Sequence, residues 1–85
     1  MAYQIFIPKP VEKQLETLPK EIHSIVVRKI FELKENPRPF GSVKLKGYDK
    51  EYRIRIGNYR VRYEINDSDL TVIVLHCMHR KDIYR

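Results

Sequence analysis

Along residues 52–56 and 59–63 the chain alternates strictly between an apolar or aromatic residue and arginine, and Gly57-Asn58 separates the two runs. A period of two belongs to a strand with unlike faces, and a two-residue Gly-Asn junction suits a type I′ or II′ turn, so the segment predicts a β-hairpin. The turn fixes the register. Ile56 then opposes Tyr59, Arg55 opposes Arg60, Ile54 opposes Val61, Arg53 opposes Arg62 and Tyr52 opposes Tyr63. The alternation puts Tyr52, Tyr59 and Tyr63 on the core side, away from the arginines, whereas Tyr48 sits in a turn.

Elsewhere the pattern predicts an initial strand over residues 3–7, ended by Pro8 and Pro10. Val11, Leu15 and Leu18 then fall at helical spacing, and Pro19 closes that segment while suiting the first turn of another helix. This second helix reaches about Asn36, with Ile22, Ile25, Val26, Ile30 and Leu33 forming its apolar stripe. The two helices, joined almost directly, read as an antiparallel hairpin lying on a sheet. Residues 44–46 form a candidate short strand, and residues 47–50 and 66–69 have turn composition. Residues 70–77 are so uniformly apolar that they predict a central strand covered on both faces, with His76 as a core histidine and Cys77 as a small buried hydrophobe. The expected class is α+β: an N-terminal strand, a two-helix antiparallel hairpin, then a three- to four-stranded antiparallel sheet, all one domain over residues 1–85.

Composition sharpens this picture in two ways. A formal charge of +6 on 85 residues favours a polyanionic partner over a neutral metabolite. The single cysteine, Cys77, leaves neither an internal disulfide nor a paired-cysteine metal motif, the three histidines lack ligand spacing, and no apolar run reaches membrane-spanning length. The expectation is a cytoplasmic protein with no metal, cofactor or membrane partner. The hairpin carries the strongest chemical signal. Arginine opposes arginine twice, which is destabilising unless an anion lies between the guanidinium groups, and phosphate suits them best. The bland reading is a solvated basic strand face, partly neutralised by Glu51 and Glu64, and for Arg62 it weighs as much as a functional one.

The order of elements, with Leu45-Lys46-Gly47, Tyr52-Arg53-Ile54-Arg55, Tyr59-Arg60-Val61-Arg62-Tyr63 and the closing His79-Arg80-Lys81-Asp82-Ile83-Tyr84, resembles the RelE/ParE toxin superfamily, its RelE branch in particular. The resemblance spans nearly the whole chain. It implies the toxin of a type II toxin-antitoxin pair, an mRNA interferase that enters the ribosomal A site and cuts mRNA without metal. In that reaction the ribose 2′-hydroxyl attacks the adjacent phosphate, leaving a 2′,3′-cyclic phosphate and a 5′-hydroxyl. Its implied partners are the ribosome, mRNA and an acidic, RelB-like antitoxin.

Position by position, the resemblance matches Arg53 and Arg55 to the family's basic pair before the turn and Arg60 to its arginine after it. It matches Lys46 to a basic residue at the start of the sheet, Arg80 to one at the end of the last strand, and Tyr84 to the tyrosine near the C-terminus. Arginine stays protonated, so Arg53, Arg55, Arg60 and Arg80 suit phosphate binding and stabilisation of the phosphorane rather than proton transfer. Clustered cations favour ionisation of a nearby tyrosine, which makes Tyr84 a candidate base or stacking platform. Imidazole titrates near neutrality, which makes His79 a candidate general acid. Lys44, Lys46 and Arg62 are candidate RNA or ribosome contacts acting through counterion release. The same scaffold also serves ParE-like toxins, so a nonenzymatic inhibitor of DNA gyrase is the alternative function.

Overall fold

The computed structural model describes residues 2–83. Its elements are β1 (Gln4–Phe6), α1 (Lys9–Glu16), α2 (Lys20–Glu32), β2 (Val43–Lys44), β3 (Glu51–Ile56), β4 (Tyr59–Asn66), β5 (Thr71–His79) and α3 (Arg80–Ile83). The strands form a single five-stranded sheet in the order β1-β5-β4-β3-β2. This is the expected α+β architecture with one topological addition. β1 pairs parallel to β5, so the sheet is mixed rather than wholly antiparallel.

Proline begins both main helices. Pro10 lies in the first turn of α1, where its missing N–H is one that the helix leaves unpaired anyway, and Pro19 precedes α2 with extended backbone. Their apolar positions meet one face of the sheet. Val11 and Leu15 of α1, Val26 and Ile30 of α2, and Leu33 at its end join Ile54, Val61, Tyr63, Ile65, Val72, Val74 and Cys77 in one buried cluster. Burying each such aliphatic side chain contributes about 1.5–3 kcal/mol before chain entropy is counted. Ile25, expected on the stripe, is exposed.

The β3–β4 hairpin keeps the expected register from Ile56↔Tyr59 to Glu51↔Glu64 without interruption. Gly57 adopts φ +59° and Asn58 does not share its sign, the pattern of a type II′ turn. Tyr63 is fully buried, and its hydroxyl donates to the Pro37 carbonyl at 2.7 Å. That bond ties the loop after α2 to the middle of the sheet.

The β4–β5 seam differs from expectation. Tyr63 opposes Val74, yet Arg62 opposes His76, so Leu75 is an extra residue and forms a β-bulge. Beyond the bulge the parity of β5 inverts. Val72, Val74 and Cys77 all face the core, while His76 stands exposed on the other face. The expected core histidine is therefore a surface residue. Nor is β5 covered twice, since the cluster with α1 and α2 lies on one face and Ile73, Leu75 and Met78 remain only partly buried.

Candidate functional site

The face of the sheet opposite α1 and α2 carries the arginines. Cross-strand partners share a face, so Arg55 with Arg60, and Arg53 with Arg62, form two rows across β3 and β4. β5 extends them: Met78 opposes Arg60, and His76 opposes Arg62. On the other flank Val43 of β2 opposes Arg53. Arg53, Arg55 and Arg60 line one open cleft of about 230 Å³, closed at its edge by Gly41 and Val43. Among the described residues, neither Arg53 nor Arg55 forms an ion pair with a carboxylate. Three guanidinium groups around a pocket of this size suit a phosphodiester, whose oxygens accept several charge-assisted hydrogen bonds at once.

Arg62 is engaged differently. Its Nε donates to Glu51 Oε1 at 2.6 Å, a second nitrogen pairs with the same oxygen, and its guanidinium lies 4.5 Å from the centroid of the Tyr48 ring. Hydrogen bonding to Tyr48, then to Glu51, holds its pKa above the ordinary arginine value. The fourth arginine is thus a structural clasp between β4, the start of β3 and the turn before it.

The remaining expected residues divide. His79 opposes Tyr59 on the helix side, with the rings edge to face at 5.0 Å between centroids. Its Nδ1 accepts from the Lys81 backbone N–H at 3.2 Å. It lines a second hollow of about 370 Å³ with Gln14, Thr17, Leu18, Tyr59, Cys77 and Met78, and the structure does not bring it to the arginine cleft. Lys44 opposes Tyr52, so it too lies on the parity of the helix side, exposed at the sheet edge. Lys46 is exposed in the segment leading to the Tyr48 turn. Arg80 begins α3, and its N–H donates to the Asn58 carbonyl at 2.7 Å, which anchors it beside the hairpin turn. Tyr84 lies outside the described residues.

Sequence reasoning missed His76 as a resident of the arginine face. The one available signal was that Cys77 and His76 cannot both follow the parity of Val74, and nothing in the local sequence says where the extra residue enters. Cys77 shows the result, because burial pushes its thiol up to about 11 and keeps it protonated. Its backbone N–H donates to Gln14 Oε1 at 3.0 Å, which docks α1 on the post-bulge segment.

A polar brace holds the far end of the sheet. Arg38 binds Asp67 through Nη2 at 2.7 Å and donates to the Tyr52 hydroxyl at 3.2 Å, while the Tyr3 hydroxyl donates to Asp67 at 2.6 Å. Hydrogen bonding to Arg38, then to Tyr3, holds the Asp67 carboxyl below its ordinary range. Among the described residues, no group of three or more His, Cys, Asp or Glu side chains is arranged to hold a metal ion. No helix of the described residues is long and apolar enough to cross a membrane.

Comparison with known proteins extends over nearly the whole chain. The sequence profile described as "ParE toxin of type II toxin-antitoxin system, parDE" matches residues 5–84. Toxin RelE3 of Methanocaldococcus jannaschii is 35% identical over 86 residues, covering 95% of this chain and 94% of its own length. Toxin RelG of Mycobacterium tuberculosis is 33% identical over 86 residues, covering 100% of this chain and 99% of its own. Among solved structures, the archaeal RelE-RelB complex from Pyrococcus horikoshii matches with a TM-score of 0.84 at 34% identity, over 94% of this chain and 97% of that one.

Proposed function

The chain belongs to the RelE/ParE superfamily of toxins of type II toxin-antitoxin systems, and on that premise we propose that it is a ribosome-dependent, metal-independent mRNA endoribonuclease acting in the A site. The observation that carries this reading is the convergence of Arg53, Arg55 and Arg60 on one phosphate-sized cleft. A catalyst of this cleavage has three tasks. It must take the proton from the 2′-hydroxyl, stabilise the charge that builds on phosphorus as the 2′-oxygen adds, and protonate the 5′-oxygen as its bond to phosphorus breaks. The arginines meet the second task, and Arg80 adds charge from the start of α3.

Proton transfer needs a side chain that can both give and take a proton. Of the two histidines at the end of β5, His76 is on the cleft's face, diagonal to Arg60, and His79 is on the opposite one. The proposal therefore gives proton transfer to His76, with Tyr84 retained from the family resemblance as base or stacking group. Lys44, Lys46 and the partly engaged Arg62 contribute long-range attraction to RNA rather than chemistry. The natural partner under this reading is an acidic, RelB-like antitoxin, in keeping with the RelE-RelB complexes formed by structural relatives.

The match to the ParE profile supports a second reading, nonenzymatic inhibition of DNA gyrase. Two assays on one preparation separate them. The proposal expects cell-free translation to stop, with new mRNA fragments bearing 5′-hydroxyl ends, while gyrase supercoiling continues. Loss of supercoiling with intact mRNA would replace it with the gyrase reading.

A further inference from the structure

The loop between α2 and β2 is tied down at almost every residue. The Asn36 side chain accepts from the Arg38 N–H at 3.1 Å, Pro37 is buried and accepts from Tyr63, and Arg38 grips Asp67 and Tyr52. The Ser42 N–H then donates to the Pro39 carbonyl at 2.9 Å, and Gly41 takes φ +93°. These are the features of a type II turn with Gly41 at its third position, which puts Phe40 at the corner. Phe40 is fully exposed, whereas the backbone on both sides of it is fixed. A rigid loop thus holds one phenyl ring in water.

A single exposed apolar side chain is ordinary, so the location decides its meaning. The next residue, Gly41, and the partly exposed Val43 form the wall of the cleft whose other lining residues are Arg53, Arg55 and Arg60. A cationic pocket for a phosphate with an aromatic ring one residue from its edge matches a nucleotide, which carries its base one sugar away from the phosphate. Bases stack on aromatic rings without regard to sequence, and a backbone held by its turn limits the freedom lost on binding to that of the side chain itself. We infer that Phe40 is a stacking platform for a nucleobase of single-stranded RNA whose phosphodiester lies in the arginine cleft. This rests on the RNA reading given above and adds to it a base-binding subsite.

The chain contains no tryptophan, so Phe40→Trp supplies a sole indole reporter at the turn. The probes are a short 2′-O-methyl RNA, which cannot be cleaved by 2′-hydroxyl attack, and an abasic strand with the same number of phosphates. Binding of each is followed separately by anisotropy of an end label. The expected result is saturable quenching of the indole by the RNA and none by the abasic strand, although both bind. Phe40→Ala should weaken RNA binding by about fivefold to a hundredfold and leave abasic binding unchanged, while Phe40→Tyr should restore it.

Arginine-dependent RNA binding with unchanged indole emission and wild-type affinity in Phe40→Ala would overturn the inference and leave the phosphate cleft standing. Equal quenching by both strands would also overturn it, since the ring would then report charge rather than a base. An indole that responds only to an acidic protein partner would reassign Phe40 to that interface. Failure of both strands to bind would overturn this inference, whereas the ribosome-dependent reading stands or falls by cleavage on programmed ribosomes.

Discussion

β4 has an antiparallel partner on each side, and the two seams differ in how far their side chains follow from the order of residues. On the β3 side the register runs unbroken from the turn, and every arginine falls on the face that alternation assigns it. On the β5 side one extra residue, Leu75, inverts the parity, so that His76 reaches the arginine face and His79 leaves it. Alternation is a local rule that a bulge resets, and a catalytic group counted across a bulge lands on the wrong side of the sheet.

The same substitution at two adjacent residues gives the largest contrast. Cys77→Asp puts a carboxyl at a buried site and should lower unfolding free energy by about 3 kcal/mol or more, whereas His76→Asp should stay within about 0.5 kcal/mol of wild type. Urea denaturation of both variants checks this, and the reverse order would mean that β5 alternates without a bulge.

Function should divide between the histidines in the same sense. His76→Ala should lower the cleavage rate on programmed ribosomes by about a hundredfold, while His79→Ala should cleave at close to the wild-type rate. An effect confined to His79→Ala would return proton transfer to the helix side.

The core face that both seams share is probed at Tyr63. Burial pushes its hydroxyl up to about 12, so its contribution is complete below the ordinary tyrosine pKa near 10 and is lost as pH rises through the shifted value. Tyr63→Phe leaves the Pro37 carbonyl without its donor and should cost about 1–3 kcal/mol at neutral pH. It should also reduce alkaline destabilisation by the share that follows ionisation of this hydroxyl, as read by thermal melts between pH 9 and about 12.

The smallest expected effect is at the brace. Asp67 is held below its ordinary value, so its stabilising pairing is present above about pH 4 and disappears as pH falls through the lowered value. Arg38→Met should flatten that acid limb in melting curves taken at falling pH. A limb of unchanged steepness would show that other carboxylates govern acid unfolding.

The hairpin was legible because a two-residue turn fixes a register and four arginines mark one face. The helix pair was legible from Val11, Leu15, Val26, Ile30 and Leu33, all of which are buried. The parallel pairing of β1 with β5 was not, since three residues carry too little pattern to choose a partner. The separation of Arg62 from the other arginines was only half legible. Glu51 was visible as a neutralising charge, but its preference for Arg62, shared with the Tyr48 ring, depends on the turn geometry of residues 47–50. Phe40 gave no sequence signal, because its meaning comes from the cleft wall formed by its neighbours.

The central claim is that the arginine cleft holds the phosphate that is cut. Its most direct test is to map mRNA ends on programmed ribosomes with wild-type protein and with Arg60→Ala, after denaturation curves establish that the variant is folded. The account predicts cuts within the A-site codon that require the ribosome and fall by about a hundredfold or more in the variant, the loss expected when one donor to the developing charge is removed. Intact mRNA with folded wild-type protein, or undiminished cutting by folded Arg60→Ala, would contradict it.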